Sequence, residues 1–87
     1  MNTEERIQEI TNRLKKALHP EKLEILDEGY QHQGHAGAQS GLGYFAIQIA
    51  AKDLQGKSKV AQHRLIYQAI GDLMQTDIHA LRIQIIH

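Results

Sequence analysis

From residue 29 to residue 43 the chain reads GYQHQGHAGAQSGLG, fifteen residues with five glycines and no charged side chain. Glycine loses more conformational freedom on ordering than any other residue, so this stretch favours neither a helix nor a well-paired strand. Loops of that length inside a compact domain are uncommon and tend to carry function. The stretch leaves only short segments on either side to build a core. The whole chain has 87 residues, which fits one domain over 1–87 and falls short of the length that suggests two.

The flanking segments carry clear periodicities. Residues 3–18 place Ile7, Ile10, Leu14, Ala17 and Leu18 on one helical stripe. Asn2 or Thr3 is a suitable cap, and Glu4 and Glu5 favour the first turn electrostatically. His19-Pro20 ends the helix, because the residue before a proline is displaced from the α region. Leu23 and Ile25 mark a short strand over 23–27. Tyr44 to Ala51 resumes strand character, with Phe45, Ile47, Ile49 and Ala51 on one face and Tyr44, Ala46, Gln48 and Ala50 on the other. The two strands pair as an antiparallel hairpin around the glycine-rich tip. After a turn at 52–57, Ser58 caps a helix whose broad stripe runs through Leu65, Ile66, Ala69, Ile70, Leu73 and Met74. Asp77-Ile78-His79 then leads into a strand in which Leu81, Ile83 and Ile85 alternate with Arg82 and Gln84. A strand–helix–strand unit makes the last strand parallel to a neighbour. The expected architecture is α+β, α-β-β-α-β, a three-stranded mixed sheet with the helices packed on one face.

Composition narrows the chemistry. With no cysteine, the chain has no thiol nucleophile, no CxxC redox pair and no disulfide or thiolate-held zinc. The start, MNTEERIQEI, reads as neither a signal nor a transit peptide, and no apolar run approaches the roughly 20 residues of a membrane helix. A cytoplasmic address and no membrane partner are expected. Lys and Arg total 10, as do Asp and Glu, so the chain lacks the overall field of a general nucleic-acid binder. No GxGxxG, Walker A or HExxH pattern occurs, and Ser40 and Ser58 lack a nucleophile context. The chain does not read as an enzyme, and no catalytic residue is assigned.

Charge is unevenly placed. Glu21, Glu24, Asp27 and Glu28 face a single base, Lys22. Lys52, Lys57, Lys59 and Arg64 face a single acid, Asp53. The second group straddles a helix start, where backbone N–H groups favour anions, although composition alone favours a solvated turn and first helical turn. Six histidines complete the picture. His19 ends a helix, His87 ends the chain, and His63 follows the basic turn and caps or packs. His32 and His35 lie in the glycine-rich stretch, where small neighbours would let the chain close around an ion. H-x-x-H is a weak pattern, and an exposed polar pair is the competing reading. His79, just before the last strand, suits a ring bonded to a nearby carbonyl.

The strings Asp27-Glu28-Gly29-Tyr30-Gln31-His32, Phe45 opening a strand, Gly56-Lys57-Ser58, Gln62-His63-Arg64-Leu65-Ile66-Tyr67 and Ile78-His79-Ala80-Leu81 stand in order at spacings that resemble the BolA family over nearly the whole chain. Gly29, Leu54 and Gln62 depart from residues usual there, namely Ser, an aromatic, and Arg or Glu. His32-Gln33-Gly34-His35 resembles a form of the loop seen in one branch of that family. The resemblance implies a class II KH-like fold and a non-enzymatic partner of monothiol glutaredoxin. The heterodimer would share a [2Fe–2S] cluster, with the partner bringing cysteine and glutathione and none bound by the isolated chain. By that resemblance the ligands here are His32 or His35, and His79, in iron–sulfur trafficking or iron sensing. Imidazole ligation raises a cluster's potential relative to all-thiolate ligation, and only neutral imidazole ligates. Alone the chain would be a monomer or weak homodimer.

The resemblance also implies an alternative, a DNA-binding transcriptional regulator. KH domains clamp nucleic-acid backbone with a GXXG loop, and here Gly56-Lys57-Ser58-Lys59 lacks the second glycine. Lys57, Lys59, His63 and Arg64 would contact phosphate, giving weak, salt-sensitive binding. No exposed aromatic is expected, which argues against base stacking as a main mode. A third reading, a docking module without metal, would survive loss of the histidines.

Overall fold

The computed structural model describes residues 2–29 and 43–86. Helix α1 spans Thr3–Leu18 and opens on a reciprocal cap: Glu5 N–H donates to the Asn2 side chain at 2.8 Å, and Asn2 N–H donates to Glu5 Oε1 at 3.1 Å. These two bonds satisfy donors that a helix start would otherwise leave open. The helix ends at His19, whose backbone enters the left-handed region at φ 46° while its N–H returns to the Lys15 carbonyl. Ile10, Leu14 and Leu18 are buried, but Ala17 is exposed. Ala17 shares the side of the helix that carries Ile10 but sits at the margin of the buried stripe, which corrects the stripe expected above.

Strands β1 (Lys22–Asp27), β2 (Gly43–Ala50) and β3 (Ile78–Ile85) form one sheet in the order β1-β2-β3. β1 pairs antiparallel to β2, and β3 pairs parallel to it. This is the expected three-stranded mixed sheet of an α+β protein. Phe45, Ile47 and Ile49 of the central strand are essentially sealed, together with Ile10, Leu14, Leu54, Ile66, Ile70 and Ile78. Leu23, Ile25, Leu81, Ile83 and Ile85 of the outer strands are half-buried around them.

A single 3-10 turn, Lys52–Leu54, drops Leu54 into the core and precedes helix α2 (Lys59–Ile70). The Gln62 side chain, buried in α2, donates to the Leu54 carbonyl at 2.7 Å and ties the turn to the helix. The sequence pattern runs one helix on through Met74, but α2 ends at Ile70. Gly71, at φ 61°, turns the chain away, and Leu73–Thr76 forms a separate single turn, α3. Glycine reaches that conformation without steric penalty. Arg13 Nη1 of α1 then donates to the Ile70 carbonyl at 2.6 Å and to Asp72 at 2.8 Å, occupying acceptors at the end of α2. No helix among the described residues is long and apolar enough to cross a membrane.

Candidate functional site

One end of the sheet carries His79. β1 finishes there at Asp27, β2 starts there at Gly43, and β3 starts there with Ile78 opposite Gly43. Both ends of the segment containing His32 and His35 therefore attach beside His79. The two loop histidines themselves lie outside the described residues. Opposite the Gly43/Tyr44 step the register breaks: Ile78 pairs with Gly43 and Ala80 with Tyr44, so His79 is the extra residue of a bulge. Bulges of this kind re-aim a side chain at a sheet margin.

His79 thus stands inside β3, not before it, and its side chain is exposed. Its ring lies against Tyr44, centroids 5.0 Å apart and tilted by 57°. Among the described residues the imidazole has this ring contact in place of the carbonyl bond expected from sequence.

The surrounding bonds hold that strand end in place. Gly43 N–H donates to the Asp77 carbonyl at 2.9 Å, and Glu28 N–H to the Tyr44 carbonyl at 2.7 Å. Glu28 accepts two bonds from Arg82, Nε at 3.2 Å and Nη2 at 2.7 Å, which joins the chain after β1 to β3. Asp77 is buried. Its carboxylate accepts from Thr76 Oγ1 at 2.7 Å and from Arg6 Nε at 3.1 Å. The Thr76 hydroxyl foremost, with Arg6 adding to it, holds this carboxyl below the ordinary carboxylate range, against an opposing effect of burial second in size to Thr76. Sequence reading missed the pair because Arg6 and Asp77 are 71 positions apart.

The basic residues lie at the opposite end of the sheet. Gly56 takes a positive φ of 75°, and Ser58 caps α2 by accepting from Ala61 N–H at 3.2 Å. Lys59, Gln62 and His63 of α2 face Ile83, Gln84 and Ile85 of β3 across a groove of about 340 Å³. The structure brings Lys59 and His63 together there, whereas Lys57 and Arg64 are exposed outside the lining. Tyr67 is 40% exposed on the same helix, so this surface does present an aromatic ring, contrary to the sequence expectation. Six residues of strand separate His79 from Ile85, or about 20 Å at strand rise. The two candidate sites are therefore independent.

The described residues contain no cluster of three or more His, Cys, Asp or Glu able to hold a metal ion. At this sheet margin they offer one exposed imidazole, His79, in a chain without cysteine. That donor set fits a metal group completed by ligands from elsewhere, and not a closed site built by these residues alone.

Fold and site together define a small α+β protein with a histidine presented at a sheet margin and a groove at the other end. Residues 14–86 match the family described as BolA-like protein. The chain is 40% identical over 79 residues to SufE-like protein 1, chloroplastic/mitochondrial, of Arabidopsis thaliana, covering 85% of this chain and 21% of that protein. It is 36% identical over 83 residues to chloroplastic BOLA1 of the same plant, covering 92% and 52%. With the DNA-binding transcriptional regulator BolA of Escherichia coli it shares 33% over 81 residues, covering 93% and 71%. The BolA domain of Arabidopsis SufE1 superposes with a TM-score of 0.81 at 38% identity, over 98% of this chain and 92% of that one. The chain belongs to the BolA-like family. It spans only about a fifth and a half of the first two relatives, and their compartments differ from that of a bacterial protein, so family membership does not fix an address.

Proposed function

We propose that the chain is a non-enzymatic partner of a monothiol glutaredoxin, sharing a [2Fe–2S] cluster through His79 and one of His32 and His35. The observation that carries this reading is the placement of His79. It is the extra residue of a bulge, exposed at the sheet end where the segment bearing the other two histidines departs and returns. Without cysteine the chain contributes nitrogen ligands, and the thiolates come from the partner and glutathione. The cluster supplies iron and sulfide for transfer or a state for iron sensing. The chain's own residues orient the imidazole: Tyr44 packs against its ring, and the Asp77–Gly43 and Glu28–Arg82 bonds fix the strand ends around it.

The test is anaerobic reconstitution with a monothiol glutaredoxin, glutathione, iron and sulfide, followed by visible absorbance and circular dichroism. His79→Ala, and separately the His32→Ala/His35→Ala pair, should change or abolish the heterodimer spectrum. If the complex forms with a spectrum indifferent to these histidines, the chain is a docking module and the ligand assignment fails.

A second reading, DNA binding, draws support from the similarity to the Escherichia coli DNA-binding transcriptional regulator BolA and from the exposed Lys57, Arg64 and Tyr67. Binding to duplex DNA should then fall steeply with salt and with Lys57→Ala/Arg64→Ala, and be unmoved by His79→Ala. Salt-independent retention would refute it.

A further inference from the structure

The sheet has two open edges of unequal character. β1 carries Lys22, Glu24 and Asp27 along its edge, and charges of this kind discourage pairing with another chain. β3, of eight residues, carries one formal charge, Arg82. Ile86 N–H donates to the Ile49 carbonyl of β2. Backbone groups of successive strand residues point alternately to the two sides, so Gln84 and Arg82 also face β2. The N–H and C=O groups of Leu81, Ile83 and Ile85 face outward, with no strand beside them among the described residues.

The groove runs along this same stretch of edge, between Ile83–Ile85 and the Lys59, Gln62 and His63 side of α2. Two features identify what would enter it. His63 Nε2 is buried without a hydrogen-bond partner, the one such side-chain atom among the described residues. A buried polar atom left unpaired is costly, and an incoming polar group relieves that cost. Charge points the same way. Residues 54–71 contain no Asp or Glu, while Lys57, Lys59 and Arg64 lie within them; Arg82 of β3 is already paired with Glu28. The groove lining contains no aromatic ring besides the His63 imidazole, which disfavours stacked bases as its occupant.

We propose that the open edge of β3 is a docking site for an extended acidic peptide, which adds as a fourth strand. Its backbone pairs with Leu81, Ile83 and Ile85, and alternate side chains lean over the groove, where a carboxylate meets Lys59 and His63. Backbone pairing supplies affinity and the side-chain contacts select for acid, as in other strand-addition complexes. The site lies at the opposite end of β3 from His79 and does not depend on the cluster reading.

The probe is a fluorescein-labelled octapeptide alternating valine and glutamate, titrated against the whole chain by anisotropy and by amide exchange in NMR. Saturable binding below about 1 mM is expected, weakened about tenfold by the exposed-site variant Lys59→Glu. Exchange at Leu81, Ile83 and Ile85 should slow about tenfold while Arg82 and Gln84 stay unchanged. The same peptide N-methylated at alternate amides should not bind. The proposal is overturned if the N-methylated peptide binds equally well, because attraction is then charge alone. It is overturned too if no peptide binds, or if the variant is without effect. Tighter binding of a single-stranded oligonucleotide of equal charge at this edge would make the groove a nucleic-acid cleft. A concentration-dependent dimer protecting the same amides would assign the edge to a second copy.

Discussion

Gly43→Ala isolates how the core enforces the geometry beneath His79. A Cβ built at Gly43 would overlap Cε2 of the Phe45 ring and lie 2.7 Å from its Cζ. Carbon atoms sit comfortably about 3.5–4.0 Å apart, so ring or backbone must move by about 1 Å. Phe45 is 1% exposed and has nowhere to go. Overpacking of this kind costs about 1–3 kcal/mol. Replacing a strand glycine recovers about 0.5–1 kcal/mol of backbone entropy, leaving a net loss of about 1 kcal/mol from the mid-range values. For a domain of this size that lowers Tm by about 4–8 °C. Urea and thermal unfolding followed by far-UV circular dichroism would measure it. A double-mutant cycle with Phe45→Leu, which opens room at the contact, should show the double variant about 1 kcal/mol less destabilised than the sum of the singles. Gly43→Ala as stable as the parent, or a cycle without coupling, would refute the steric argument.

Two further outcomes follow from buried polar contacts. Asp77→Asn should cost about 1.5–3 kcal/mol at neutral pH, because charge-assisted bonds to Thr76 and Arg6 are weakened. The folded-state carboxyl is depressed, so its stabilisation is present above the ordinary value of 3.8 and is lost as pH falls through the lowered one. The gap between parent and variant in urea titrations should therefore close below about pH 4, and a gap that persists undiminished would refute the assignment. Gln62→Leu, similar in volume, should cost about 1–3 kcal/mol by leaving the buried Leu54 carbonyl without its donor. An unchanged urea midpoint would show that the bond contributes nothing.

Where local rules act alone, the sequence was sufficient. Asn2 or Thr3 was legible as the cap, and Pro20 as the end of α1, because both signals depend on residues within one turn; that Asn2 is the cap and that Glu5 closes a reciprocal box came from the structure. Alternation placed Phe45, Ile47 and Ile49 together on one face of β2, which is the face that enters the core; the burial of Tyr44, Ala46 and Ala50 on the other face was not legible. The Leu65–Met74 stripe misled, because hydrophobic spacing persists across Gly71 although the backbone does not. Gly71 was visible, but an isolated glycine inside a helical pattern is often tolerated. Asp77 was read only as leading into the last strand, because its partner Arg6 is distant in sequence. The open edge of β3 was illegible for a similar reason: strand order, not strand sequence, decides which N–H groups face solvent.

His79 carries a backbone role separable from its side chain, and the two can be tested apart. Ile78 faces the core at 1% exposure, and Leu81, Ile83 and Ile85 face it further along. Strict alternation from Ile78 would instead turn Ala80, Arg82 and Gln84 inward. The extra residue at 79 corrects the phase, since a shift of one position exchanges the two faces of a strand. His79→Ala keeps that residue and should leave stability within about 0.5 kcal/mol, as for other exposed substitutions. Deletion of His79 forces a choice between losing Ile78 from the core and burying the Arg82 charge. An unpaired buried charge costs about 3–5 kcal/mol, against a total stability of about 5–15 kcal/mol. The deletion variant should therefore unfold at markedly lower urea than His79→Ala, and equal midpoints for the two would show that the bulge does not set the register. If the midpoints separate as expected, the exposed imidazole at this end of the sheet is a consequence of how the core is phased, and its chemistry can be changed without disturbing the fold that presents it.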